Sequence, residues 1–348
     1  MGPQGDQPTK SDGGLGPEES PPPSRDAREH DSFFDIANVV THLEAGQIID
    51  NQFEVVRPIG HGGMGVVYEV FDHLTRQNLA LKVMMPTVLT HRKATQRFIE
   101  EVRIARRLRH PNIVAAYDVR QAGPLLFFTM ELLHGKSLRR ILDRHRQISL
   151  GQTAGVVHRV CQALEHAHRI TVHRDVSPEN VMILEDGTLR LLDFGIAQAI
   201  DITALTPRMT PMGKLLYMAP EQRCGDPDID ARADLYSLGV IFFEMLTGEI
   251  PHSENRLLAL RPDLPRQCEE LVTRALAPRE ERFQSARELR KAVRAAFQAY
   301  EEALQGRPPT PPPVPRAAMP SEAQDLCTPS MSDETPTPLP LEDSDTFF

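Results

Sequence analysis

A chain of 348 residues, 40% of them hydrophobic, is long enough for one large domain or two lobes with chain to spare. Its net charge of −9 sits at the ends: residues 1–50 carry ten acids against three bases and 307–348 seven against two, which leaves +3 on 51–306 and no reason to read nucleic-acid binding. Cys161, Cys224, Cys268 and Cys327 form no C-x-x-C pair, which excludes a zinc ribbon or a disulfide framework. No apolar run approaches the roughly 20 residues of a bilayer span, and no signal-peptide pattern opens the chain, so a cytoplasmic protein without membrane contact is expected.

Residues 1–48 read as a disordered acidic extension, rich in Gly, Pro and Ser up to Asp31. Within 33–43, Phe33, Phe34, Ala37, Val40 and Leu43 mark one helical face, with docking onto the domain or a partner weighed against a solvated stretch. Phe53 to Ile59, Val66 to Phe71 and Asn78 to Met84 are predicted as three successive antiparallel strands. Between the first two lies Ile59-Gly60-His61-Gly62-Gly63-Met64-Gly65-Val66-Val67, whose glycines let backbone amides approach a phosphate unobstructed. Such a hairpin alone is more often structural; Lys82, on the third strand after Ala80, favours the nucleotide.

A helix is predicted from Arg92 to Leu108, with Phe98, Glu101, Ala105 and Leu108 on one face, so Glu101 points inward and Glu100 more to the side. An inward glutamate needs a cation, and Lys82 is the natural one. His110-Pro111-Asn112-Ile113-Val114 ends this helix and starts a strand, and Leu125 to Met130 is another strand, running into Glu131-Leu132-Leu133-His134-Gly135.

A helical run from Val156 to Arg169 leads into His173-Arg174-Asp175-Val176-Ser177-Pro178-Glu179-Asn180. Val181 to Leu184, the turn Asp186-Gly187 and Thr188 to Leu192 then form a hairpin that ends at Asp193-Phe194-Gly195. The hairpin brings Asp193 back beside Asn180 and Asp175. Two acids and an amide at adjacent strand ends suit a hard divalent cation, Mg2+ or Mn2+, on a nucleotide such as ATP, with one carboxylate left to orient an attacking hydroxyl. The segment from Gly195 to Ala219 lacks periodicity and holds Thr203, Thr206 and Thr210; a strongly apolar helix then runs from Ala233 through Leu246. After about Gly306 the chain turns Pro-rich and acidic, with Thr-Pro at 310, 328, 335 and 337. That composition favours extended disorder, read either as a ligand for a proline- or phosphothreonine-reading module or as a plain solvated tail.

Taken together, the G-x-G-x-x-G-x-V run at Gly60, Ala80-Leu81-Lys82, His173-Arg174-Asp175 with Asn180, Asp193-Phe194-Gly195 and Ala219-Pro220-Glu221 stand in one order. Over about residues 53 to 300 the chain resembles the bacterial, eukaryotic-like Ser/Thr protein kinases. The resemblance implies an α+β, two-lobed fold: a small, mostly antiparallel N-lobe over 49–131 with one key helix, a larger helical C-lobe over 135–303, and a disordered tail over 304–348. It implies transfer of the ATP γ-phosphoryl group to Ser or Thr of protein substrates. Asp175 would be the catalytic base, Lys82 would grip the phosphates while paired with Glu101, and Asn180 and Asp193 would hold the metal. Ile59, Gly60, His61, Gly62, Gly63, Met64, Gly65, Val67, Ala80, Met130, Glu131 and Leu133 would surround the nucleotide, with Met130 as gatekeeper at the hinge. Asp234 would anchor the catalytic loop, Arg282 would pair with Glu221, and Thr206 and Thr210 are the expected activation-loop phosphorylation sites, gathered by Arg174.

Two departures from the family pattern stand out. The chain is short between Gly248 and Leu271, so the small substrate- or partner-docking helix is expected to be reduced. Inside the site, Ser177 stands where relatives have a lysine and Lys214 where they have a threonine, from which we expect an exchange of roles between the two. A pseudokinase scaffold is the alternative that the missing lysine supports; a kinase of small molecules is disfavoured by Ala219-Pro220-Glu221.

Overall fold

The computed structural model describes residues 42–62, 65–84, 92–194, 213–252 and 256–305. The first lobe is a six-stranded sheet in the order β1-β2-β3-β4-β6-β5. Its strands are β1 (Ile48–Ile49), β2 (Phe53–Gly62), β3 (Gly65–Asp72), β4 (Gln77–Met84), β5 (Ala116–Ala122) and β6 (Leu125–Met130). All pairings are antiparallel, and helix α1 (Arg92–Ala105) packs beside β5. The register sets Val67 opposite Lys82 and Ala80 opposite Met130. Because side chains alternate across a sheet, Ala80 and Lys82 share one face.

Two apolar clusters fill the two faces. One joins Ile59, Val67, Ala80, Met130 and Leu133 to Phe98 of α1; the other gathers Phe53, Val55, Val70, Leu81 and Phe127. Leu43 belongs to the second cluster, 7% exposed, and its N–H donates to Tyr68 Oη at 3.1 Å. The packed lobe therefore starts earlier than the boundary expected at residue 49, because apolar contact with the back of the sheet orders the chain ahead of β1. The rest of the apolar face expected over 33–43 lies outside the described residues. Leu43→Ala should cost about 2 kcal/mol in the full chain through loss of this packing. Urea unfolding checks it; an unchanged midpoint would mean that Leu43 only rests on the lobe.

Helix α1 is shorter than the predicted 92–108. Arg107 and Leu108 N–H groups bond back three residues, to Ile104 and Ala105, which tightens the last turn out of the helix. The strand expected at Ile113 is only a single bridge to Leu191.

The second lobe opens with β7 (Gly135–Ser137) and α2 (Leu138–Arg144), followed by α3 (Leu150–Ala167). Helix α3 begins six residues before the predicted start because Ser149 Oγ accepts from the Gln152 N–H and caps it. Strands β8 (Val181–Leu184) and β9 (Leu189–Leu191) form the predicted hairpin and complete a three-stranded sheet, β7-β8-β9. Then come α4 (Pro220–Arg223), α5 (Arg232–Thr247), α6 (Leu257–Leu260), α7 (Arg266–Ala275) and α8 (Ala286–Gln305). All of α5 except Arg232 and Tyr236 is buried, as a helix apolar on every side must be, with α3 and α7 packed against it. Gly248 stops it in the left-handed region, φ 74°. Between α5 and α7 the described residues hold only the four-residue α6, so the short stretch after Gly248 does carry a reduced element. No helix among the described residues is long and apolar enough to cross a membrane.

Candidate active site

The site lies where β4, an interior strand of the first lobe, faces the end of the β8–β9 hairpin of the second. Lys82 Nζ donates to Asp193 Oδ2 at 2.7 Å, a contact across 111 residues of sequence. Burial by itself would raise the Asp193 carboxyl, but the ammonium groups of Lys82 and Lys214 outweigh it and hold the acid below its ordinary value. Helix α1 turns Glu101 inward with one carboxylate oxygen buried, whereas Glu100 is exposed and bonds Arg103. The choice of Glu101 over Glu100 as the inner acid agrees with this geometry; the ion pair shown for Lys82 is with Asp193.

Asp175 is held from two sides. Asn180 Nδ2 donates to its backbone carbonyl at 2.8 Å and to Oδ2 at 2.9 Å, and Lys214 Nζ donates to the same Oδ2 at 2.7 Å. Both side-chain contacts use Oδ2, so Oδ1 is the oxygen available to a hydroxyl. Asn180 spends its amide nitrogen on Asp175, which leaves its amide oxygen to face a cation.

The loop is anchored from beneath by Asp234, a fully buried residue of α5. Its carboxylate accepts from the His173 N–H at 2.8 Å, the Arg174 N–H at 2.7 Å and His168 Nε2 at 2.9 Å. Arg174 has φ 66° and Asp193 φ 51°, left-handed conformations that cost a non-glycine residue about 1–2 kcal/mol. Strain of this kind persists where the surroundings over-determine it, and here it marks both functional turns. His173 fixes one turn to the other: Nε2 donates to the Leu192 carbonyl at 2.8 Å, and Nδ1 accepts from the Asp175 N–H at 3.2 Å. Its ring also lies 4.4 Å from the Phe194 ring.

Most of the expected nucleotide-binding residues come together. Ile59, Val67, Ala80, Met130 and Leu133 line one apolar cluster, and Gly60, His61, Gly62 and Gly65 lie on the β2–β3 hairpin above it. Gly65 has a second reason to be glycine: a Cβ there would collide with the Val83 carbonyl oxygen of the paired strand. Glu131 donates its N–H to the Ala115 carbonyl at 2.9 Å, and its carboxylate pairs with Arg190 at 3.3 Å. Gly63, Met64, Thr203, Thr206 and Thr210 lie outside the described residues.

Several participants escaped the sequence reading. Met182 and Leu192 close the floor of the apolar cluster; the period-2 pattern of the hairpin was the available signal. Tyr217 donates to Glu244 Oε2 at 2.6 Å and Arg139 donates to Glu244 Oε1 at 2.8 Å, a link among three separate elements that no local pattern announces. Arg282, 2% exposed, clamps Glu221 with two bonds of 2.6 and 3.0 Å, the pairing expected from resemblance.

No group of three or more His, Cys, Asp or Glu side chains able to hold a metal occurs among the described residues. A divalent ion here would take Asp193 and Asn180 as its protein ligands and complete its shell from phosphate oxygens and water, as magnesium usually does. The donor set, a carboxylate and an amide oxygen, fits a hard cation.

The sequence matches the protein kinase domain family over residues 53–328. It is 35% identical over 264 residues to the serine/threonine-protein kinase PknB of Mycobacterium leprae, which is 70% of this chain and 42% of that protein. It is 28% identical over 271 residues to the serine/threonine-protein kinase PrkC of Bacillus subtilis, 73% of this chain and 42% of that one. The chain thus spans about two fifths of the length of these curated relatives. Among solved structures, a cysteine-to-alanine mutant of the Mycobacterium tuberculosis PknI kinase domain superposes with a TM-score of 0.62 at 32% identity, covering 74% of this chain and 99% of that one. Two lobes, the Lys82–Asp193 contact between them and the Asp175–Asn180 loop thus carry the same meaning in fold and in sequence, and the chain belongs to the protein kinase domain family.

Proposed function

We propose that this chain transfers the γ-phosphoryl group of ATP to serine or threonine hydroxyls of protein substrates. The observation that carries the reading is the set Lys82–Asp193 and Asp175–Asn180: one acid held from the other lobe by Lys82 at 2.7 Å, the other held within its own loop by Asn180 at 2.9 Å. Phosphoryl transfer asks the protein mainly for positioning and charge compensation. Asp175 orients the acceptor hydroxyl through Oδ1 and takes its proton as oxygen attacks phosphorus and the bond to the ADP oxygen breaks. Lys82 steadies the α- and β-phosphates, and the apolar cluster from Ile59 to Leu133 receives the base. Magnesium, when bound at Asp193 and Asn180, supplies positive charge to the phosphate oxygens.

The regulatory part of the proposal rests on Arg174. Its Nη2 reaches only the Ile229 carbonyl at 3.4 Å and its Nε is buried without a partner among the described residues. A phosphate on Thr206 or Thr210 would give that guanidinium its missing acceptor. A reader module for the Thr-Pro tail and a cytoplasmic setting, where ATP is supplied, belong to the same proposal.

A nucleotide-responsive scaffold is the second reading, favoured by the lack of a cation at buried Ser177. Incubating the purified chain with magnesium ATP and weighing it intact separates the two. Mass added in multiples of one phosphate, absent from Asp175→Asn, is the expected result. An unchanged wild-type mass on both the chain and a mixture of protein substrates would leave the scaffold.

A further inference from the structure

Ser177 and Lys214 are the two places where this site departs from its relatives: Ser177 follows Asp175 by two residues in the same loop, and the structure brings Lys214 to Asp175 from 39 residues away. The catalytic loop from Asp175 to Asn180 reads Asp-Val-Ser-Pro-Glu-Asn and contains no cation. At its centre Ser177 is 1% exposed, with an Oγ that has no hydrogen-bond partner among the described residues. The positive charge arrives from elsewhere. Lys214 opens a short 3-10 turn (Lys214–Leu216) that precedes Ala219-Pro220-Glu221, and its Nζ sits 2.7 Å from Asp175 Oδ2. Its field is shared by Asp193 and Glu179 as well, so the ammonium feels three acids and its pKa stays above the ordinary value despite burial.

The cations of the site divide by position. Lys82 bonds Asp193, on the nucleotide side, and Arg174 reaches toward Ile229. Lys214 is the one described cation bonded to the carboxylate that faces the acceptor hydroxyl. Transfer places negative charge on the oxygens of the moving phosphoryl group between donor and acceptor, where a compact ammonium on a flexible stem serves best.

We propose that Lys214 contacts the γ-phosphate and neutralises the moving phosphoryl group, replacing a catalytic-loop lysine, while the small Ser177 leaves its stem room and supplies a hydroxyl in exchange. The proposal deepens the kinase reading and rests on it for the reaction, though not for the contact. Lys214 then has two partners in succession, Asp175 and the γ-phosphate. Because residue 214 follows the segment that holds Thr206 and Thr210, correct placement of that segment becomes a condition of the chemistry itself.

The test uses the full chain and reads binding apart from turnover. Titration calorimetry with magnesium ADP and with a magnesium complex of a non-hydrolysable ATP analogue isolates the γ-phosphate. Lys214→Thr should weaken the analogue about tenfold and leave ADP within about twofold, while kcat falls at least about a hundredfold. Lys214→Arg should keep part of the analogue preference, and Ser177→Lys with Lys214→Thr should restore both analogue affinity and much of the rate. The proposal is overturned if Lys214→Thr binds the two nucleotides as the wild type does, or if Ser177→Lys and Lys214→Thr combine additively. If the wild type transfers no phosphate yet its analogue preference vanishes in Lys214→Thr, the contact stands and the kinase reading falls.

Discussion

Asp193→Asn should lower the rate of phosphoryl transfer by at least about a thousandfold, roughly 4 kcal/mol in the barrier. The substitution is well isolated. Asparagine tolerates the left-handed backbone that Asp193 adopts at φ 51°, so the turn is kept and only the charge is removed. That charge has two duties: it would ligate the divalent cation, and it holds Lys82 at 2.7 Å. Losing both at once leaves the phosphates without their metal and the lysine without its partner. Lys82→Met should reach a comparable loss by removing the other half, and the double variant should be little worse than either, because residues acting as a unit are not additive. Steady-state rates on a peptide substrate check this; a loss below about tenfold in both single variants would break the assignment.

The same pair has a pH signature. The folded-state pKa of Asp193 is depressed, so its contribution to stability is present above the ordinary aspartate value of 3.8 and lost as pH falls through the lower folded value. The stability difference between wild type and Asp193→Asn should therefore be constant near neutrality and change only below about pH 4.

Asp234→Ala should cost about 3–5 kcal/mol of stability and cut kcat at least about a hundredfold, though Asp234 touches no reactant. Its carboxylate satisfies three donors, the N–H groups of His173 and Arg174 and the His168 ring, and the side chain is fully buried. Alanine strands those donors, each at about 1–3 kcal/mol. It also releases the left-handed turn at Arg174, which those two N–H bonds hold, and Asp175 follows directly. Asp234→Asn, which keeps an acceptor oxygen but sets an amide N–H2 against donors, should fall between. Denaturant unfolding and kcat measured together are diagnostic: a full loss of rate with an unchanged midpoint would place Asp234 in the chemistry rather than beneath it.

Much of this site could be read directly from the chain because it is local. Asp175 and Asn180 lie within one loop, Asp193 follows one hairpin later, and the Asp186-Gly187 turn dictates that the hairpin returns. Turn chemistry and period-2 strands act over a few residues, so they survive in the sequence as pattern. The glycines from Gly60 to Gly65 were legible for the same reason. Their second cause, the close approach of Val83 to Gly65, was not, because it depends on which strand lies alongside.

Tertiary structure decided what crosses long separations. No spacing rule joins Lys214 to Asp175, Tyr217 to Glu244 or Leu43 to Tyr68; those contacts exist because helices and sheet bury common apolar faces and carry the polar residues with them. Resemblance anticipated the Glu221–Arg282 clamp and the anchoring by Asp234, but the geometry of each rests on the buried α5. The exchange at Ser177 and Lys214 shows the division best. The sequence displays two unusual residues far apart, and only the packed fold puts one of them 2.7 Å from the Asp175 carboxylate, because an ammonium settles where partly buried acids lower its energy most.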